Sequence, residues 1–87
     1  MLGAEARAAM HCTVRSLDEV LFDGMAASLS FETITGQVEV LPGHAEAFFV
    51  VVAGPMVIQA PEAAEPQRLE VSPAVCHVKD NRVTVVV

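Results

Sequence analysis

Apolar and polar residues alternate with a period of two over most of this chain, and that period admits strands and little else. Met10, Cys12 and Val14 alternate with His11, Thr13 and Arg15. Successive residues of a strand point to opposite faces, so such a segment buries one face and wets the other. Met25, Ala27, Leu29 and Phe31 alternate with Ala26, Ser28, Ser30 and Glu32. Val38 and Val40 do so against Gln37 and Glu39. Near the end, Ala74, Cys76 and Val78 interleave with Val75, His77 and Lys79, and Val83, Val85 and Val87 with Arg82, Thr84 and Val86.

Turn signals punctuate these segments. Asp23-Gly24 is predicted to close the short run 20–22, Thr35-Gly36 to start the next return, and Pro42-Gly43 another. Asp80-Asn81 reads as a two-residue hairpin turn, because both residues tolerate positive φ. Residues 48–52 are continuous, bulky and apolar, which predicts a strand covered on both sides, a pattern that a short buried helix would share. Gly54-Pro55 is predicted to break that run, with further strands at 56–59 and 68–71 around an exposed loop at 61–66. The total is eight to ten short strands and no helix after residue 10. That predicts an all-β fold, a flattened β-sandwich or barrel. Residues 1–9 read as a flexible leader and residues 10–87 as one domain.

Eighty-seven residues can build one core but no deep catalytic cleft. Hydrophobic residues make up 53% and charged residues 18%, more apolar and less charged than an ordinary domain. The surplus has to sit somewhere, on a partner surface or on an exposed patch. A net charge of −6 argues against nucleic acid, whose phosphates need clustered Lys and Arg. Tyr and Trp are absent, leaving little to stack on bases. No apolar run approaches the roughly 20 residues of a helical span, so direct membrane insertion is not expected. Residues 1–9 carry Glu5 and Arg7 and no signal-peptide core, so Cys12 and Cys76 are expected as reduced thiols.

His11, Cys12, His44, Cys76 and His77 are the metal-ligating types. Adjacent strand residues face opposite sides, so His11-Cys12 and Cys76-His77 can each give one ligand to a common site, and the usual short zinc spacings are missing. There is no GxSxG elbow, no phosphate-binding loop, and Asp18-Glu19 are neighbours in a turn. No catalytic residue, cofactor or metal site is expected.

Leu41-Pro42-Gly43-His44-Ala45 is the most distinctive segment. As a plain pattern it is a Pro-Gly turn between strands, with His44 exposed beside it. It also resembles the LPGHA motif in the N-terminal domain of the ATP synthase epsilon subunit, called delta in mitochondria. The resemblance extends from the opening, Val14-Arg15-Ser16 through Val20-Leu21-Phe22-Asp23-Gly24, past the Thr35-Gly36-Gln37 turn, to the closing Val78-Lys79-Asp80-Asn81-Arg82-Val83-Thr84-Val85. There are departures. Gly36-Gln37-Val38-Glu39 stands where the family has Gly-Glu-x-Gly, Glu46-Ala47-Phe48-Phe49 follows the motif, Ala53-Gly54-Pro55 stands for Lys-Pro-Gly, and Ser72-Pro73-Ala74-Val75 replaces a glycine-rich stretch.

The resemblance implies a flattened sandwich of about ten strands with a mechanical role. In that role it is a non-catalytic rotor subunit of the central stalk, peripheral on the cytoplasmic face of the cell membrane. It would link the gamma subunit to the c-ring and help couple ion translocation to ATP synthesis. It further implies an interface at Ser16, Gln37, Pro42, Gly43 and His44. Substitution of His44 by Glu is then expected to weaken partner binding while leaving stability nearly unchanged. The likeness runs out at Val87, so the family's C-terminal helical hairpin, and the inhibition it exerts, are not expected of these residues. The other reading left open is a stand-alone β-sandwich module that binds an unrelated protein.

Overall fold

The computed structural model describes residues 8–87. Nine strands follow in order: β1 Met10–Arg15, β2 Val20–Ala26, β3 Ser28–Thr33, β4 Gly36–Val40, β5 Ala47–Val51, β6 Gly54–Gln59, β7 Gln67–Val71, β8 Ala74–Lys79 and β9 Arg82–Val86. They hydrogen-bond in the order β2-β1-β9-β8-β5-β3-β6-β7, with β4 on β3. Every pairing is antiparallel except β1 with β9. The all-β prediction is realised, and no helix occurs among the described residues.

The sheet folds over at β3. One edge of β3 pairs with β4 from Leu29 to Thr33. Its other edge is shared, Ser28 to Ser30 going to β6 and Thr33 to Val51 of β5. The sheet thus becomes two halves, β2-β1-β9-β8-β5 and β4-β3-β6-β7, facing each other across one core. All nine strands contribute to the core or the side chains packed on it, led by Phe31, Met10, Leu29, Met56 and Ile58. Phe49 meets Phe31 edge-on, with centroids 5.6 Å apart.

Most of the alternation comes out in phase. Met10, Cys12, Val14, Ala74, Cys76, Val78, Val83 and Val85 are all buried. Asp80 and Asn81 have φ of 52° and 60°, and Lys79 pairs with Arg82, the geometry of a tight hairpin turn. Four expectations fail. Asp23-Gly24 is not a turn, since both residues lie inside β2 and pair with Thr13 and Cys12. Gly24 is not in the positive-φ region that an Asp-Gly hairpin needs. Instead, the missing side chain makes room for Phe22, whose ring would lie 3.3 Å from a Cβ there. The real β1–β2 turn is at residues 16–19.

The second failure is the phase after Asp23. The chain bends at Ala27, whose N–H reaches Gln59 O at 2.7 Å, so Ala26 is buried and Met25 exposed. Third, the β3–β4 turn is Ile34-Thr35 and Gly36 already pairs with Thr33. Gly54-Pro55 likewise opens β6 and does not merely break the chain. Fourth, residues 48–52 are covered on one side only. Phe48 and Val50 stand out at 68% and 69% exposure, while Val51 is fully buried. The leader predicted at 1–9 lies, through residue 7, outside the described residues.

Candidate interaction surface

The Leu41–Ala45 segment forms a tight turn in which His44 N–H donates to Leu41 O at 3.1 Å. Pro42 supplies the preset φ of the second position, and Gly43 takes φ of +86° at the third, where a side chain would be strained. The turn is anchored across the fold, because Gly43 N–H donates to Asn81 Oδ1 at 2.7 Å. Asn81 also accepts His11 N–H on its own carbonyl at 3.0 Å. One residue of the β8–β9 turn therefore fixes the motif loop and the start of β1. Residues 43–46 and 79–81 line a shallow, open depression of about 530 Å³ between the two turns.

His44 is half-buried, not freely exposed as the plain turn reading has it. Its ring meets Phe49 edge-on at 6.0 Å. Its Nδ1 lies 2.7 Å from Ala45 O. A carbonyl only accepts, so Nδ1 carries a proton and donates to it. His44, Phe49 and Phe31 form a chain of edge-on contacts from surface to core. His44→Glu breaks that chain, so the expectation of an unchanged stability is withdrawn.

Ser16 organises the β1–β2 turn. Its Oγ accepts the N–H groups of Asp18 at 3.3 Å and Glu19 at 3.2 Å, and its N–H donates to Glu19 O at 2.9 Å. Gln37 is exposed on β4, opposite Glu32. The register separates these residues into two groups. Pro42, Gly43 and His44 share one end of the sheet with Asp80-Asn81. Ser16 follows Arg15, which pairs with Val86 at the far end of β9. Gln37 lies toward that same far end, since Thr33 beside it pairs with Val51 and Val51 with Ala74. The groups are one strand length apart, roughly 16 Å for five residues.

His11 and His77 point outward and the adjacent Cys12 and Cys76 inward. Among the described residues no group of three or more metal-ligating side chains gathers. The thiols flank β9, from β1 and β8. Two strand spacings, about 10 Å, exceed the roughly 7 Å that a disulfide spans between Cα atoms. Burial pushes the Cys76 thiol up to about 12 and the Cys12 thiol up to about 11, with the Asp23 charge adding to the latter.

Residues 9–87 match the family model described as ATP synthase, Delta/Epsilon chain, beta-sandwich domain. The chain belongs to that family. Among solved structures, the fold resembles a chain of the Euglena gracilis mitochondrial ATP synthase, in its OSCP/F1/c-ring structure in rotational state 1. That likeness has a TM-score of 0.83 and 22% identity, over 91% of this chain and 50% of that one. It also resembles a chain of the Tetrahymena thermophila mitochondrial ATP synthase central stalk/c-ring, with a TM-score of 0.75 and 17% identity, over 88% of this chain and 61% of that one. The chain thus spans between half and two thirds of the length of these structurally similar chains. Comparison with curated protein sequences gives no match.

Residue-by-residue reading missed apolar side chains that the strands leave exposed, Phe48, Val50, Val75, Val86 and Val20. A signal was present: Val75 and Val86 occupy the slots that alternation reserves for polar residues. Asn81 was read as a turn former only, since nothing local reveals that its side chain reaches residue 43, 38 positions away.

Proposed function

We propose that the chain is the sandwich domain of a rotor subunit in the central stalk of an ATP synthase, peripheral to the cytoplasmic face of the membrane. It joins the gamma subunit to the c-ring and carries no catalytic group. The observation that carries this reading is the family match over 9–87, which includes the motif loop. The anchored turn supports a mechanical role, because a loop tied by Gly43–Asn81 and by the His44–Phe49 contact presents a preset shape. Little ordering entropy then remains to be lost on binding. Membership in the family favours this role over an unrelated binding module. No helix among the described residues is long and apolar enough to cross a membrane, which agrees with a peripheral seat.

Contact is proposed at both ends of the sheet, through Pro42, Gly43 and His44 at one and Ser16 and Gln37 at the other. The test is assembly with purified gamma subunit and c-ring, followed by calorimetry. A stoichiometric complex is expected, weakened by about 1 kcal/mol or more on truncating the hot spots among these residues. Absence of any complex with both partners overturns the stalk reading. Unchanged affinity on substitution at both ends overturns the assignment of the contact sites.

A further inference from the structure

The bonds around the three histidines assign their ring protons, and one ring stands apart. His11 lies on the outward side of β1. Its Nε2 is 2.6 Å from Asp23 Oδ1 on β2, and its Nδ1 is 3.3 Å from a guanidinium nitrogen of Arg82 on β9. A guanidinium only donates, so Nδ1 is bare and accepts; a carboxylate only accepts, so Nε2 carries the proton. The neutral ring thus ties β2, β1 and β9 through bonds of opposite sense. Strand register brings the trio together, since His11 pairs with Arg82, and Thr13, next on the same face, pairs with Asp23.

His44 and His77 are built the other way. His44 Nδ1 donates to Ala45 O at 2.7 Å. His77 Nε2 donates to Glu46 Oε2 at 3.3 Å, with its ring flat against Phe48. A second proton on either ring leaves those bonds in place. Among the described residues His11 is the imidazole that accepts a bond, and so the one that loses a bond when protonated.

The groups that face His11 give this loss a direction. Asp23 faces it from β2 and Arg82 from β9. Lys79 on β8 stands directly beyond Arg82, Asp80 sits in the turn beside them, and Arg15 is two outward slots along β1. Cys12 and Cys76 point inward from β1 and β8. A proton on Nδ1 keeps the Asp23 bond and sets two cationic donors head to head where the Arg82 bond stood. Lys79, Arg82 and His11 then form one row of like charge across β8, β9 and β1, an unfavourable arrangement on a sheet. Arg82 is the member able to leave, being long, exposed and outside any ion pair among the described residues.

Arg82 also follows the turn that anchors the motif loop. His11 N–H donates to Asn81 O, and Asn81 Oδ1 accepts Gly43 N–H. His11 therefore holds this hairpin twice, by its backbone at Asn81 and by its ring at Arg82, and protonation removes the second hold. We propose that His11 is an acid-operated clasp, whose protonation detaches Arg82 from β1, keeps Asp23, and slackens the Asp80-Asn81 turn that holds Gly43. Imidazole is the side chain that ordinarily changes charge between about pH 5 and 8, so mild acidification operates the clasp. Any effect on partner affinity rests on the stalk reading; the clasp does not.

NMR of the isotope-labelled full chain between about pH 8 and about pH 5 tests this. At the upper end the His11 ring nitrogens should report a proton on Nε2 and none on Nδ1. On acidification the Arg82 guanidinium protons should shift with the His11 ring, and hydrogen-exchange protection of the Gly43 amide, corrected for the intrinsic pH dependence, should fall roughly threefold. His44 lies beside Gly43, so the decisive quantity is the part of this response that His11→Gln removes. Glutamine donates to Asp23 and accepts from Arg82 without titrating, and should abolish the fall. If His11→Gln loses its dispersed spectrum, Arg82→Gln replaces it: the His11 ring still titrates, and Gly43 protection should no longer follow it. A proton on Nδ1 at the upper end, loss of the Asp23 bond ahead of the Arg82 bond, or a Gly43 response unchanged in these variants would each overturn the clasp. No partner is present in the experiment, so its failure leaves the stalk reading standing, and failed stalk assembly leaves the clasp standing.

Discussion

The two outer faces of the sheet follow the same alternation and fill it differently. On the β4-β3-β6-β7 half the outward slots hold Ser28, Ser30, Glu32, Gln37, Glu39, Gln59, Arg68 and Glu70, with Val57 and Pro55 the apolar ones. On the β2-β1-β9-β8-β5 half they hold Val20, Met25, Phe48, Val50, Val75 and Val86 among His11, Thr13, Arg15, Asp23, His77, Lys79, Arg82 and Thr84. Apolar area left in water forgoes about 25 cal/mol per Å² relative to burial. The first face is finished by solvent. The second leaves more apolar area in water.

The most damaging way to break the comparison is to remove what both faces stand on. Phe31 is fully buried and packs against Phe49. Phe31→Ala should cost about 3–5 kcal/mol in urea unfolding. Phe48→Ala, one strand position from the core but facing out, should cost less than about 1 kcal/mol. Similar losses for the two would mean that Phe48 is not an outward residue.

Raised pH attacks the interior of the apolar-faced half. The folded thiols are held at about 11 and about 12, above their ordinary value of 9.0. Above pH 9 the unfolded chain releases thiol protons that the folded chain keeps, so unfolding is increasingly favoured. The stabilisation from neutral thiols is fully present below pH 9 and drains away between about 9 and 12. Thermal melts across that window should show it, and Cys12→Ala with Cys76→Ala should flatten the dependence. Thiol labelling at pH 8 should be slow in the folded chain and fast in denaturant.

A smaller effect tests the joint that holds the motif loop to the sheet. Asn81→Ala removes the bond to Gly43 and puts alanine at φ of 60°. Together these should cost about 1–2 kcal/mol. Asn81→Gly restores the backbone freedom and should recover part of the loss. If glycine is no better than alanine, the hydrogen bond accounts for the whole effect.

The smallest effects sharpen the contrast itself. Phe48→Ser and Glu39→Ser should each change stability by less than about 0.5–1 kcal/mol. Only Phe48→Ser should reduce binding of a hydrophobic dye and raise solubility.

Much of the strand plan was legible because alternation and turn chemistry are local. Residues 10–15, 74–79 and 82–86 came out in the predicted phase, and Asp80-Asn81 made the predicted turn. Asp23-Gly24 misled for the opposite reason. Its dipeptide signal is real, but pairing with Thr13 and Cys12 outweighed it. Part of the candidate site was legible too. Pro42, Gly43 and His44 form the predicted turn, yet their distance from Ser16 and Gln37 depends on strand order, which no single segment encodes.

By itself the sequence determined an all-β chain of short strands, two core thiols and a Pro-Gly turn in a family-like motif, since each follows from neighbours within a few residues. Only the tertiary structure decided which apolar residues stay outside. Residues 48–52 are uniformly apolar, so period gives no face, and burial depended on β8 lying beside β5 with nothing above Phe48 and Val50 among the described residues. The same register set Val75, Val86, Arg15 and Val20 in one line from four separate segments. A surface assembled across strands is a property of pairing order, and pairing order is fixed by long-range packing around one shared core.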